Sequence, residues 1–547
     1  MAWCRRAGPL AARHWGIGVL LGCGAGLRAV ATIAYWPALV YIDTPRYLGH
    51  DAHGLDPLGY RYLFLRPLLM LHAGLSAAAI AQHLLGLALG TAMYALIVRH
   101  GAPRWLAALA AAPVLLDAYQ VQAEQMIMPD VFFEALLGAA VLLLAWPGPR
   151  TRPGPGTRPG ARLAAAALVL GIAATVRQTG ELAAIPLLGY ASTAGAAPGS
   201  AAGAAPAARA KAAVTALAVF AVPVAGYMAL SATVLGTGFR LSDMDDAYLY
   251  ARVADAADCA TLRVPAYERP LCPGIAGTKA GIDALATAAD SPLYTYRPPR
   301  GVGRGAAIIS FDTAVLAQQP LRVAAGIGGD AVKVFALTRA GSPGDPPLDR
   351  WQFQTAYPVY RDADRAVFGP DARWPGTEPG LATALRWYQL RGGFTPGPLV
   401  LMFGIAAAAG ALSRRAPRSL RAGAAVTAGL ALAVVGGADL YEFSWRYQLP
   451  VLITLPPAGI LGALAACRNA STRNASTRHA GALPRRSASE GTMNRCTRNR
   501  LTLSLRSGRS PAASCTPIRG SGSARTKSSD ATGPGAPTPS SNGTTSP

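Results

Sequence analysis

The sequence predicts an all-α integral membrane protein of about ten transmembrane helices, with a large extracytoplasmic loop domain between the seventh and eighth. Three observations carry that expectation. The 547 residues are 51% hydrophobic and only 14% charged, with a mean hydropathy of +0.27, whereas a soluble domain carries about 25% charged residues. Uncharged apolar runs long enough to span a bilayer, roughly 20 residues, recur along the chain. Basic residues gather in the short loops between those runs, the pattern of cytoplasmic loops. The net charge of +23 therefore points to a membrane and not to nucleic acid; residues 467–547 hold 13 Lys/Arg against 2 Asp/Glu, so +11 of it lies in the tail.

Taken in order, a short basic start (Arg5, Arg6, Arg13) precedes a first span from Gly16 to Trp36. It lacks a small-residue cleavage site and reads as an uncleaved helix, not a removed signal. Arg28 lies inside it. A charge at that depth faces protein or a cavity, unless it snorkels to the interface. Residues 39–72 form a polar-aromatic loop with Asp43, Arg46, Tyr47, His50 and His53. If the chain is helical from Asp43, then Asp43, Tyr47 and His50 share one face. Span two covers 73–98, and Arg99, His100 and Arg104 make a basic turn. Span three covers 104–118. A loop with Asp117, Glu124 and Asp130 leads into span four at 130–146, with Pro129 at the position where a helix start tolerates proline. Residues 147–162 are a flexible Pro/Gly loop with four arginines. Span five ends at Arg177, span six covers 178–195, and span seven covers 212–236.

Residues 237–395 hold 16 of the 28 acids and 17 Lys/Arg, a near-neutral region that translocates regardless of charge. Its aromatic and proline clusters predict a folded cap. Cys259 and Cys272 are its only cysteines, and outside the cytoplasm they are expected to form a disulfide; two unpaired thiols are the alternative. Ser310–Phe335 reads as one amphipathic helix, and Asp243-Met244-Asp245-Asp246 as a solvated turn. Spans eight, nine and ten follow at 396–412, 421–437 and 449–466, with Arg446 and Tyr447 in the loop before the last. The expected domains are 1–236 (seven-span catalytic module), 237–395 (cap), 396–466 (C-terminal helices) and 467–547. That last stretch repeats Asn-Ala-Ser-Thr-Arg and is disordered by composition; it also resembles a run translated out of frame. Ten spans place both termini on the cytoplasmic side of the cell membrane and all the acidic loops outside.

The outer loops converge on candidate chemistry. Paired carboxylates suit general-base work or a metal held by oxygens. Arginines suit a phosphate, which a guanidinium grips with forked hydrogen bonds. The plainer readings are a turn at Asp-Thr-Pro, a helix-start residue at Asp130 and interfacial anchors for the arginines.

The motifs resemble the GT-C superfamily of multi-span glycosyltransferases, nearest the branch of protein O-mannosyltransferases and lipid A aminoarabinose transferases. The first outer loop of that family carries an Asp-Glu-Pro-Arg-Tyr motif; Asp43-Thr44-Pro45-Arg46-Tyr47 matches it at four of five positions. Met128-Pro129-Asp130 with Phe132-Phe133 is similar to the acid at the head of the family's fourth span. Thr175–Gly180 resembles its basic-residue-plus-Gly segment, and Arg446-Tyr447-Gln448-Leu449-Pro450 its late Arg-Tyr-x-x-Pro opening. The likeness covers residues 10–195 well and 395–466 loosely.

The resemblance implies a GT-C-like fold and transfer of a sugar from a polyprenyl-phosphate donor to a cell-envelope glycan, lipid or protein acceptor. It implies catalytic roles for Asp43 and Asp130. Substrate would be bound by Arg28, Arg46, Tyr47, Glu124, Arg177, Arg446 and Tyr447. A divalent metal is a candidate cofactor with unassigned ligands, and Thr44, where the family has an acid, weakens that role. The other readings are a transporter or flippase of lipid-linked sugar, which predicts an internal repeat that is not visible, and a non-catalytic membrane scaffold.

Overall fold

In a bilayer core the chain must satisfy its own backbone, so apolar runs fold as helices. The computed structural model describes residues 13–49, 53–71, 74–147, 159–194, 206–273, 281–358 and 376–480, and among them every named element is helical. In chain order the longer helices are α1 (Trp15–Ala34), α2 (Gly74–Arg99), α3 (Arg104–Leu116), α4 (Ala118–Gln125), α5 (Asp130–Ala145), α6 (Pro159–Val176), α7 (Ala184–Ala194) and α8 (Pro206–Leu230). After them come α9 (Asp245–Ala256), α10 (Arg304–Gln318), α11 (Pro320–Val332), α12 (Pro379–Leu390), α13 (Gly397–Leu412), α14 (Arg418–Tyr441) and α15 (Val451–Ala480).

The expected count of ten spans is not met. Among the described residues, five segments are long and apolar enough to cross a bilayer: Trp15–Ala34, Gly74–Arg99, Pro206–Leu235, Arg418–Tyr441 and Trp445–Arg468. A sixth arises if α3 and α4, bent by 48°, count as one span. At the other expected positions the helices are shorter than the roughly 20 residues a span needs. α5 has 16 residues and α7 has 11. Arg177 and the 3-10 turn Gln178–Ala183 divide α6 from α7, so polar residues cut that apolar stretch in two. The last helix runs to Ala480, past the point where span ten was expected to end. The remainder of the tail, most of the 147–162 loop and His50 lie outside the described residues.

Two hydrophobic cores form. One joins the apolar helices through residues such as Tyr35, Leu115, Phe133 and Leu452, and reaches Trp351 and Phe353 of the polar region. α13 and α15 approach closely enough that a Cβ at Gly410 would strike the backbone of Gly462. The second core lies within the polar region, around Tyr250, Leu285, Phe311 and Val315. There Cys259 and Cys272 form a disulfide with Cα atoms 6.0 Å apart. The single amphipathic helix expected over Ser310–Phe335 is two helices, because Pro320 cannot continue α10 and opens α11 instead.

Candidate functional site

The loop after α1 and the loop between α4 and α5 are locked side by side. Past α1, the Leu39 amide donates to the Gln125 carbonyl (2.9 Å) and the Ile127 amide to the Leu39 carbonyl (3.0 Å). Thr44 Oγ accepts from the Tyr41 amide (2.8 Å) and donates to the Ile127 carbonyl (3.2 Å). The residue that departs from the family motif is thus a buried staple between the loops. From α2, Gln82 donates to the carbonyls of Glu124 (2.8 Å) and Met126 (2.7 Å). These bonds fix where Asp43 and Asp130 stand. Pro129 caps α5, which puts Asp130 in its first turn.

From these loops a chain of alternating charges extends. Asp43 Oδ2 lies 3.6 Å from Arg446 Nη1. Arg446 Nε is 3.6 Å from Asp130 Oδ1, to which Arg177 Nη1 also donates. Arg177 Nε is 3.7 Å from Asp56 Oδ2. Rings hold both guanidinium groups: Arg446 stands 4.8 Å from Trp351 and 4.7 Å from Tyr447, and Arg177 4.5 Å from Tyr447. Such cation–π contacts are each worth about 0.5–2 kcal/mol.

Much of the hydrogen-bonding capacity here is unspent. Asp130 Oδ2, Arg177 Nε, Arg446 Nε and Trp351 Nε1 are buried with no hydrogen-bond partner among the described residues. Asp130, Arg446 and Trp351 line a small recess together with Tyr119, Met128 and Leu449. Asp43 is the open member of the charge chain: its side chain is 43% exposed, against 3% to 9% for its partners. Solvent reaches it, but the surrounding protein still acts on it. Burial pushes its carboxyl above the usual range, Arg446 and Arg46 pull it back, and Asp56 and Asp130 push it further up.

The other expected residues are placed as follows. Arg46 donates to the carbonyls of Gly54 (3.3 Å) and Asp56 (2.5 Å), holding the loop that presents Asp56. Tyr47 is buried edge-on against Tyr60 at 5.3 Å. Asp43 stands just before the short helix Thr44–Leu48 rather than within it, and its side chain makes no capping hydrogen bond there. Arg28 and Glu124 are not brought to this site; they pair with each other among α1 to α4 (2.6 Å), and every Arg28 N–H is spent there. Asp243 and Asp245 do not form a solvated turn. Asp243 pairs with His53 and accepts from the Gly54 amide (2.9 Å), and Asp245 accepts from Gln178.

Sequence reasoning missed Asp56 and Trp351. The signal for Asp56 was its place in the same loop as the Asp43 motif, ten residues beyond Arg46. Each carboxylate of the chain faces a guanidinium, which favours an anion as guest, and among the described residues no three or more His, Cys, Asp or Glu gather as a metal site.

No family model matches the chain, nor does any curated protein. Among solved structures it is similar to archaeal oligosaccharyltransferase AglB from Archaeoglobus fulgidus, in complex with an inhibitory peptide and a dolichol-phosphate. Identity is 14% and the TM-score 0.37, over 87% of this chain and 53% of that one, so this chain spans about half the neighbour's length. A likeness that loose bears no weight for fold or activity.

Proposed function

We propose that this protein is a membrane glycosyltransferase of the GT-C type, moving a sugar from a polyprenyl-phosphate donor to an acceptor hydroxyl outside the cytoplasm. The observation that carries this reading is the run Asp43–Arg446–Asp130–Arg177 beside a recess, with one accessible carboxylate and two aromatic-framed guanidinium groups. Arg177 and Arg446 hold the donor phosphate. Asp130 orients them. Asp43 takes the proton of the acceptor hydroxyl. The acceptor oxygen forms its bond to the anomeric carbon as the carbon–oxygen bond to phosphate breaks. That electron pair leaves on the polyprenyl phosphate, and the configuration inverts. The acceptor is a glycan, lipid or protein of the cell envelope.

Purified protein incubated with labelled polyprenyl-phosphate sugars should label an acceptor. Asp43→Asn should lower turnover about 10²- to 10⁴-fold, the usual worth of a general base, with the melting temperature unchanged; full turnover in that variant overturns the assignment. Turnover should also have an acid limb above the ordinary carboxylate range. The base works only when deprotonated, so activity is complete above its raised pKa and falls as pH drops through it. A cysteine placed in the 53–58 loop should react with an impermeant maleimide on whole cells. Reaction only after lysis would put the chemistry in the wrong compartment.

A further inference from the structure

The site has a second half that the reaction above leaves unused. Between α14 and the Trp445 turn the chain is extended, with φ/ψ of −158°/138° at Glu442 and −149°/140° at Ser444. Side chains alternate along an extended chain, so 442 and 444 share one side and Phe443 takes the other. Phe443 rests there against Lys333, whose Nζ is 4.2 Å from its ring. Glu442 and Ser444 are 5% and 3% exposed, yet Glu442 Oε1 and Ser444 Oγ have no hydrogen-bond partner among the described residues. The charges that act on Glu442 are Asp283, Arg446, Asp43 and Arg350. Tyr248 of α9 feels Glu442 and Asp43, and its hydroxyl donates to Asp283 Oδ1 at 3.4 Å. Glu442 thus lies within electrostatic reach of Arg446 and Asp43, and of Asp283 in the short helix Ile282–Thr287.

Buried polar groups are ordinarily paired, and leaving one unpaired costs stability. Two on the same side of a three-residue link that leads straight into Arg446 point to partners that a ligand brings. We propose that Glu442 and Ser444 bind hydroxyl groups of the transferred sugar, with Tyr248 and Asp283 roofing that subsite. This rests on the function proposed above and divides the donor between two halves of one site: Arg177 and Arg446 read the phosphate, Glu442 and Ser444 read the ring. A carboxyl and a hydroxyl together both accept and donate, as a polyol requires. Burial raises the Glu442 carboxyl well above its usual range; Asp283 adds to the rise, Arg446 opposes it, and Asp43 adds again.

The test is binding to the full chain in nanodiscs, with two probes: undecaprenyl phosphate, and undecaprenyl-phosphoryl mannose or arabinose. The wild type should bind at least one sugar-bearing lipid ten or more times tighter than the bare phosphate. Glu442→Gln and Ser444→Ala should bind the bare phosphate within twofold of wild type and lose most of the sugar's increment. Their melting temperatures should hold or rise, because an unpaired buried group is removed or neutralised; a merely structural role predicts a fall. If both variants keep the full increment, the subsite is wrong while the proposed function stands. If the wild type binds neither lipid, the proposed function fails and the subsite with it. If Glu442→Gln does not fold, Ser444→Ala alone decides, since deleting an unpaired hydroxyl leaves nothing behind to satisfy.

Discussion

Two of the buried arginine–carboxylate clusters differ in what they leave undone. In the first, Arg28 spends all five N–H groups. Nε and Nη2 donate to the Glu124 carboxylate (2.6 Å each), Nη1 to the carbonyls of Gly24 (3.1 Å) and Leu115 (2.9 Å), and Nη2 also to that of Val114 (3.0 Å). His83 completes the carboxylate at 2.9 Å. In the second, Arg177, Arg446 and Asp130 each keep a buried atom without a hydrogen-bond partner. A saturated cluster can only hold the fold together. An unsaturated one can still take a guest.

The largest effect should come from breaking the saturated cluster. Arg28→Met strands the Glu124 charge and leaves the Val114 and Leu115 carbonyls without their donor, so it should cost about 3–5 kcal/mol, as for other broken buried pairs. Thermal unfolding or expression level reads this directly. Arg28→Lys should rescue only part of it, because an ammonium has three donors and cannot fork. Space is equally tight: a Cβ at Gly86 would strike the Glu124 carboxylate. If Arg28→Met instead leaves the melting point alone and abolishes turnover, the contrast between the two clusters collapses.

The mirror experiment strikes the second cluster. Arg446→Lys keeps a charge but loses the planar fork and its stacking on Trp351 and Tyr447. Turnover should fall on the order of 10²- to 10³-fold, the scale for losing a preorganised donor to developing charge. The melting temperature should move less than in Arg28→Met, because Arg446 Nη2 donates to the Tyr447 hydroxyl (2.9 Å) while Nε has no hydrogen-bond partner among the described residues. Asp56→Asn is the weaker test of the same cluster. The Asp56 carboxylate pairs with Arg177 at 3.7 Å, so turnover should drop about tenfold, with the effect in binding of a sugar-free lipid phosphate as much as in turnover.

Much of this was legible in the sequence, and the failures have physical causes. The Asp43 motif, the acid after Pro129, Arg177 and Arg446 were all visible as charges bordering apolar runs, and the fold gathers them. Arg28 looked the same by that criterion. Its difference lies in α3, which ends at Leu116 and so leaves its last carbonyls without intrahelical donors. Arg28 reaches across from α1 to cap them. Pro113 and Asp117 hinted at that helix end, but nothing local says which distant side chain will serve it. The span count failed for a related reason. Hydropathy sees apolar runs, whereas the 48° break between α3 and α4 and the 3-10 turn after Arg177 are set by polar residues whose partners are far away in the chain.

The smallest effect tests whether unpaired polar atoms always mark a site. Asp312, on α10 in the second core, also has a buried oxygen, Oδ1, without a partner among the described residues, and it lies outside the charge chain. Burial lifts its carboxyl from 3.8 to about 7, with the Asp246 charge adding to the rise. The folded state therefore holds a proton that the unfolded chain releases, so stability is complete below about pH 4 and declines as pH rises to about 7. Asp312→Asn carries no such proton. Its stability relative to wild type, read from thermal unfolding, should climb between pH 4 and pH 8 by an amount on the order of 1–3 kcal/mol, the scale of an unpaired buried polar group. Turnover at pH 7 should be untouched. A flat difference across that pH range would mean that Asp312 is ionised and partnered, and unpaired atoms in this fold would then have to be judged by charge state as well as by burial.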